Sequence, residues 1–526
     1  MAVTTEPQVG LQKGTNWWGA FVIGLAGTIL VTGIAPYAVQ GMGASAIWAI
    51  GVNTLFGLVL CLCLAELGSM WPDRTGGIPS YASASFEPLV GPRVAKHIGG
   101  LSGWSYWLGW FPVAPINMIL TAAYLTSLFG FPQGGTVHLF GTYGAPISTT
   151  VLLISFIGLL AIYVPCYFGV RLGAGFATVL GILSMVPLTV LVLLPLFKTG
   201  SFHWSNVAGF HTPVGVHESF TFIIAWMFPI TWNVIAMEAA ACYVGECRNG
   251  PRDAKIALTA EGVYGTLIYI LTPLVFVGVL GASLSSADPL TLYTDFTSAL
   301  FGHGTWIKWF IGLPLILALL LSVLNAIMGT GRSLYQASED GALPRWFGKV
   351  NVHGVPARAM AFNVAASMLV VLFGSPVRIY IFSNAGYLFA CGMSLAGYFV
   401  YRQLRPAAER PLRLPGWVRF VALGIFLFWA VVYFYGGWNA PNIVVAPNSG
   451  PVLFILGLAV MALYFPLYYW RQRSDARRGL PVLATATGTA HPANAAHPAN
   501  ATHPANAAHP APAPADTTPV LAEEEA

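Results

Sequence analysis

Apolar runs without a single charge set the first limit on this chain. Phe176–Phe197 and Gly262–Ser283 contain no Asp, Glu, Lys or Arg, and each is long enough to cross about 30 Å of hydrocarbon as a helix. In lipid every backbone amide and carbonyl must be satisfied internally, which leaves the helix as the structure for runs of this kind. The remaining sequence is of the same character: of 526 residues, 56% are hydrophobic and 8% charged, against roughly a quarter charged in a soluble domain. That balance excludes an ordinary globular enzyme. The expected fold class is an all-α polytopic protein of the lipid bilayer.

Hydropathy marks twelve spans, at about 17–39, 45–68, 101–129, 149–169, 174–197, 219–247, 257–282, 307–335, 357–375, 379–401, 417–437 and 451–470. They form one domain over 17–470, after a polar segment 1–16 and before a tail 471–526. An even number of spans puts both termini on one side, and basic residues decide which. With the termini inside, the outer loops hold only Lys198, Lys308 and Arg378 of the 24 basic residues, while Arg402, Arg405, Arg410, Arg413 and Arg419 crowd one inner loop. Both termini are therefore expected in the cytoplasm, with the protein in the cell membrane. The net charge of +5 resides in these short loops and does not imply nucleic acid. No cleavable signal peptide is expected, because the first span outruns a signal core. Cys61, Cys63, Cys166, Cys242, Cys247 and Cys391 show no metal or disulfide spacing and read as small buried residues.

From Ala490 the tail repeats with a period of six, placing His491, His497, His503 and His509 in register among Pro, Ala and Asn. Such a composition cannot bury a core and is expected to be disordered. Regular histidines could bind Zn²⁺ or Ni²⁺, but a solvated low-complexity tail is the better reading, and no metal or cofactor is assigned.

Ionisable residues inside spans are costly and mark function by default. Three qualify: Glu66, Glu238 and Glu261. Glu66 and Glu261 lie near the expected cytoplasmic ends, within reach of water or loop arginines, and a structural role outweighs a transport role for each. Glu238 sits mid-span after Phe228-Pro-Ile-Thr-Trp-Asn, a segment in which Pro229 removes a donor and mediocre helix formers follow. Span one carries a related irregularity, Gly24-Leu-Ala-Gly27-Thr28-Ile-Leu-Val-Thr32-Gly33-Ile-Ala-Pro36. Two interrupted spans at corresponding places in two five-helix halves point to a secondary-transporter site. On glycine and proline alone, close helix packing accounts for them equally well.

Further motifs tip that balance. Trp232-Asn-Val-Ile-Ala-Met-Glu238 is followed by Gly245-Glu246-Cys-Arg248-Asn249-Gly-Pro251-Arg252-Asp253. Ala65-Glu66-Leu67 precedes Pro72, Thr75-Gly76-Gly77 and Tyr81. Trp104-Ser-Tyr106-Trp107 opens the third span, and Asn325 with Gly331-Arg332-Ser333-Leu334-Tyr335 and Asp340-Gly341-Ala342-Leu343-Pro344 ends the eighth. In order and spacing these resemble the amino acid–polyamine–organocation transporters over about 17–470. Gly250 is an insertion relative to that family's pattern, and the first-span signature falls on either Gly27-Thr28-Ile29 or Thr32-Gly33-Ile34 without a full match.

The resemblance implies a LeuT-like fold: two inverted five-helix repeats (about 17–197 and 219–401), spans one and six broken, and two extra spans over 417–470. It assigns substrate binding to Gly27, Thr28, Thr32 and Gly33, to Trp232, Asn233 and Ile235, and to Asn325. Trp232 and Glu238 take gating and coupling. The partner is a small amino acid or amine, moved with proton coupling or by exchange, by a monomer or homodimer. If both spans break at the midplane, amides near Thr32 and Gly33 face a carboxylate, and carbonyls around Phe228–Thr231 accept from an ammonium group. Trp232 then caps the ligand with an aromatic face suited to a cation. Sodium would need oxygens such as those of Ser322, Asn325, Thr330 and Ser333; a proton on Glu238, or exchange, is favoured over it. A channel is disfavoured by the absence of a filter motif and a membrane enzyme by the absence of a catalytic cluster. A nutrient sensor on the same fold is the remaining alternative.

Overall fold

The computed structural model describes residues 13–480 except 210, 214, 287, 288, 290, 291, 303 and 304. The histidine repeat and the expectations for the tail from 481 onward, like those for the first twelve residues, lie outside the described residues.

Among the described residues, eleven helices are long and apolar enough to cross a membrane: Trp17–Met42, Ser45–Met70, Ile78–Phe129, Thr149–Tyr167, Ala174–Phe197, Phe220–Glu246, Gly250–Leu284, Trp309–Glu339, Pro376–Leu404, Val418–Val445 and Val452–Arg477. Between the eighth and the next lies Ala357–Val371, apolar but of 15 residues, shorter than the ~20 that a full crossing takes. Numbered in chain order with this short helix as the ninth, these segments fall where hydropathy placed its spans. Side chains that accept from first-turn amides start several of them: Asn16 accepts from Gly19 at 3.1 Å, Ser148 from Val151 at 3.2 Å and Ser219 from Phe222 at 3.1 Å.

Contacts between the connections sort into two sets. In one, the backbone at Thr15 bridges to Glu246 and Arg248, Lys13 reaches Asp73 at 3.0 Å, Arg74 reaches Asp340 at 3.4 Å, Asn351 binds the Tyr167 carbonyl at 2.8 Å, and Arg345 reaches Asp475 at 2.7 Å. In the other, Ala44 N–H donates to His211 at 2.9 Å, Ala145 to Phe373 at 2.8 Å and His203 to Gly278 at 2.9 Å. Connections after even-numbered segments, with both described chain ends, make up the first set. Those after odd-numbered segments make up the second.

One local expectation changes. The stretch before span three, read as loop up to residue 100, is helical from Ile78, with Pro79 in its first turn and a bend at Gly91 (φ 74°) ahead of Pro92. Proline suits a first turn, and only glycine takes that backbone without strain. Segment six is α-helical through Pro229 to Val234. From Ile235 to Glu246 the chain tightens into a 3₁₀ helix of 12 residues. Runs beyond three or four residues are uncommon in that form and mark strain or a hinge.

Candidate substrate site

Segment one is interrupted by a two-residue turn at Ile29 and Leu30, between α-helical Trp17–Thr28 and Val31–Met42. There it crosses the α-to-3₁₀ junction of segment six. The crossing is close: a Cβ on Gly27 would collide with the Ala236 carbonyl, and one on Gly33 with the Tyr380 hydroxyl. Glycine at 27 and 33 therefore serves approach between backbones and side chains.

Tyr269 of segment seven lies across the two discontinuities. Its hydroxyl is 2.7 Å from the Gly27 carbonyl and 2.6 Å from the Asn233 carbonyl, and one hydrogen cannot satisfy both. Beside it, Thr28 Oγ1 and Asn233 Oδ1 are buried without hydrogen-bond partners, while Asn233 Nδ2 donates to Pro229 at 2.9 Å. Oxygen acceptors thus outnumber donors at the crossing, the chemistry that an ammonium group matches. Thr28, Ile29, Val31 and Thr32 also line a cavity of about 20 Å³ with Thr189 and Thr272, room for about one water.

The amides expected to face a carboxylate are engaged. Thr32 N–H donates to Ile29 at 2.9 Å and Gly33 N–H to Leu30 at 3.0 Å, while Thr32 Oγ1 also donates to Ile29, at 2.7 Å. The turn satisfies itself because its residues stay right-handed and close short-range bonds. The carbonyl of Phe228 is likewise taken, by Asn384 Nδ2 of segment ten at 2.6 Å, and that of Met227 by Thr231 Oγ1 at 2.6 Å.

Trp232 is 1% exposed. Its indole N–H donates to the Gly109 carbonyl of segment three at 2.9 Å, and its ring lies 5.0 Å from that of Tyr380 in segment ten. Ile235, fully buried, begins the 3₁₀ helix. Glu238 points away from the crossing into a cradle of donors: Tyr387 at 2.7 Å, Tyr106 at 3.0 Å and Trp110 Nε1 at 3.1 Å, all to Oε1.

Asn325 stands apart from the cavity. Its Nδ2 binds the Ile23 carbonyl at 3.0 Å, its Oδ1 accepts from Tyr243 at 2.7 Å, and Ser322 binds the Ala26 carbonyl at 2.7 Å. These side chains bolt segment eight to segments one and six. Thr330 and Ser333 donate to Ala326 and Gly103. The structure thus brings Gly27, Thr28, Asn233 and Ile235 to one crossing, holds Trp232 and Gly33 beside Tyr380, and sets Glu238 and Asn325 in separate networks.

Two further carboxylates pair with arginine. Glu66 meets Arg402 at 3.1 Å and Arg410 at 3.0 Å, and accepts from Tyr398 and the Leu414 amide, each at 3.0 Å. These include the loop arginines that its place near a span end had suggested. Glu246 pairs with Arg332, whose second nitrogen lies 3.1 Å from the carboxylate.

Sequence reasoning did not find Tyr269, Tyr380, Asn384 or the Glu238 donors. Tyr106 stood inside a quoted motif, but only as a mark of resemblance. Polar aromatic residues within apolar spans were the available signal.

Interrupted helices crossing at buried polar groups inside an apolar bundle define a membrane transporter. The chain belongs to the amino acid permease family, whose sequence profile matches residues 16–464. Members of that family are transporters and not enzymes. Among individual proteins, it is 26% identical over 468 residues to the glutamate/serine transporter AimA of Bacillus subtilis, covering 84% of this chain and 78% of that one. It is 23% identical over 354 residues to the polyamine transporter PUT1 of Oryza sativa subsp. japonica, with 67% and 60% covered. An arginine/ornithine antiporter of Latilactobacillus sakei is 25% identical over 362 residues, with 67% and 68% covered.

Proposed function

We propose that the protein carries an amino acid, or a related amine, across the cell membrane by alternating access at the crossing of segments one and six. The carrying observation is the Tyr269 hydroxyl shared between the Gly27 and Asn233 carbonyls, with Thr28 Oγ1 and Asn233 Oδ1 unpartnered beside it. A substrate ammonium group supplies the hydrogens that this cluster lacks. The Thr32 and Gly33 amides then serve the carboxylate once the turn opens, with Trp232 as the cap. A cavity of about 20 Å³ is too small for any amino acid, so binding requires segments to part, as alternating access demands.

The reading takes the fold as LeuT-like, with twelve crossings in two inverted five-helix repeats. Its support is that the interrupted segments are the first and the sixth, and that the connections sort into two alternating sets. Both termini are placed in the cytoplasm because the set containing them holds nearly all the basic residues. Ions or counter-substrate drive the cycle, by proton coupling or exchange. Glu238, held by three donors from segments three and ten, braces the 3₁₀ half of segment six and takes part in gating.

Counterflow in proteoliposomes tests this. Vesicles loaded with each of a panel of amino acids and polyamines should accelerate uptake of the same labelled compound for at least one member. Ligand-induced stabilisation in detergent without flux for that ligand would replace transport with sensing. A diamine as the sole substrate would shift the reading to a polyamine permease.

A further inference from the structure

Glu261 is a fully buried carboxylate of segment seven that none of the roles above uses. Its Oε2 accepts the Ala240 amide, in the 3₁₀ half of segment six, at 2.9 Å, and the Ala239 amide also acts on the carboxyl. Its Oε1 is buried without a partner. On the other side stands segment one. The position a Cβ would take on Gly24 lies 2.7–2.8 Å from the three carboxyl atoms, so glycine at 24 is what leaves room for them.

Titratable groups around it are few. Glu238 and Cys242 of segment six, Cys61 of segment two and Tyr269 of its own helix are the groups near enough to act on it electrostatically. Segment one offers Gly24 there, and segment five meets segment seven at Tyr264, whose hydroxyl is 2.6 Å from Thr189. Among the described residues no arginine, lysine or histidine forms an ion pair with Glu261.

The contrast with Glu238 is chemical. Glu238 Oε1 is surrounded by three donors, of which the Trp110 indole can only donate. A proton added to that oxygen would meet the indole hydrogen, and Oε2 lies 3.3 Å from the Tyr106 hydroxyl, so both oxygens of Glu238 already have hydrogen-bonding neighbours. Glu261 Oε1 faces none. We propose that Glu261, rather than Glu238, takes up and releases the proton of the transport cycle. This deepens the proposed function and rests on it. The step forms one O–H bond on the carboxylate with a proton from one aqueous side and breaks it to deliver the proton to the other.

Location supplies the coupling. Glu261 touches both segments that cross at the substrate site. When it is ionised, its bond to the Ala240 amide is charge-assisted and roughly twice as strong as a neutral one. Protonation weakens that hold on the 3₁₀ half of segment six. Proton and substrate then bias one element, the condition for linkage between two ligands. Thr28 Oγ1 packs on Gly265, one turn along from Glu261, and also lines the water-sized cavity, so the next polar group toward the proposed substrate site is already in place.

The test uses the full chain in proteoliposomes with a substrate that gives counterflow. Glu261→Gln keeps the shape and loses ionisation. It is expected to retain exchange within a few-fold, to lose accumulation driven by a pH gradient, and to flatten the pH profile. Addition of substrate to purified parent protein in weak buffer should change its bound protons, and to Glu261→Gln it should not. Gradient-driven accumulation by Glu261→Gln with the parent's pH profile overturns the proposal. So does a parent that exchanges substrate but accumulates it only with sodium, and in that case the transport reading survives. A parent without flux for any compound instead removes the transport reading. If Glu261→Gln does not reach the membrane, Glu261→Asp is read in its place. Accumulation with a displaced pH midpoint supports the assignment, and an unmoved midpoint overturns it.

Discussion

At Glu238, one carboxylate oxygen gathers donors from residues more than 120 positions away in sequence. A buried donor left without an acceptor costs about 1–3 kcal/mol, so Glu238→Leu, which orphans Tyr387 and Trp110 and leaves Tyr106 only the Cys242 sulfur, should lower the melting temperature in detergent far more than Glu238→Gln. Equal stability of the leucine variant and the parent would show that the cradle contributes little. Trp232 makes the other residue-scale case. Its indole is fixed by Gly109 and stacked toward Tyr380, which orients a large aromatic face at low further entropic cost. Trp232→Ala should weaken substrate binding by about tenfold or more, roughly 1.4 kcal/mol for each tenfold, read as a reduced ligand-induced stabilisation. Unchanged affinity would remove Trp232 from the site.

Among the elements, segment six shows where sequence reading succeeds and where it stops. Proline, asparagine and β-branched residues marked Phe228–Glu238 as a poor continuous helix, and an irregularity is there. It lies at Ile235, where the α-helix tightens into a 3₁₀ helix. Asn384 of segment ten donates to the Phe228 carbonyl, and that partner follows from tertiary packing, which no local propensity encodes. The same limit applies to Glu261 beside Gly24: span, charge and glycine were each visible, but their meeting was not. Glu66 was more legible, since a carboxylate at a span end with a basic loop downstream has few other partners. Its network now allows a prediction. Removing one partner of a buried ion pair costs about 3–5 kcal/mol, and Glu66→Ala leaves two buried guanidinium groups uncompensated at Arg402 and Arg410. Folded protein recovered from membranes should fall sharply, with Glu66→Gln intermediate because it still accepts from Tyr398 and the Leu414 amide. Normal recovery of Glu66→Ala would mean that the loop is held by other contacts.

For the molecule as a whole, the proposed direction across the membrane rests on two facts taken together. Loop contacts divide the connections into two ends, and basic residues divide almost entirely into one of those same ends. Lys198 and Arg378, at the other end, donate to the carbonyls of Leu300 and Gly144, so part of the small positive charge there is tied to backbone. Under the rule that cytoplasmic loops are basic, the agreement of these two divisions supports the proposed orientation. The six native cysteines are all free and buried, which makes labelling of introduced ones interpretable. Ser283→Cys, exposed at the C-terminal end of segment seven, should react in intact cells with a membrane-impermeant maleimide. Glu409→Cys, exposed in the loop after segment ten, should react only after the cells are opened. The reverse pattern would invert the protein in the membrane and exchange the sides from which substrate and proton enter. Labelling of both sites in intact cells would break the alternation itself, and with it the twelve crossings and the paired repeats built on them.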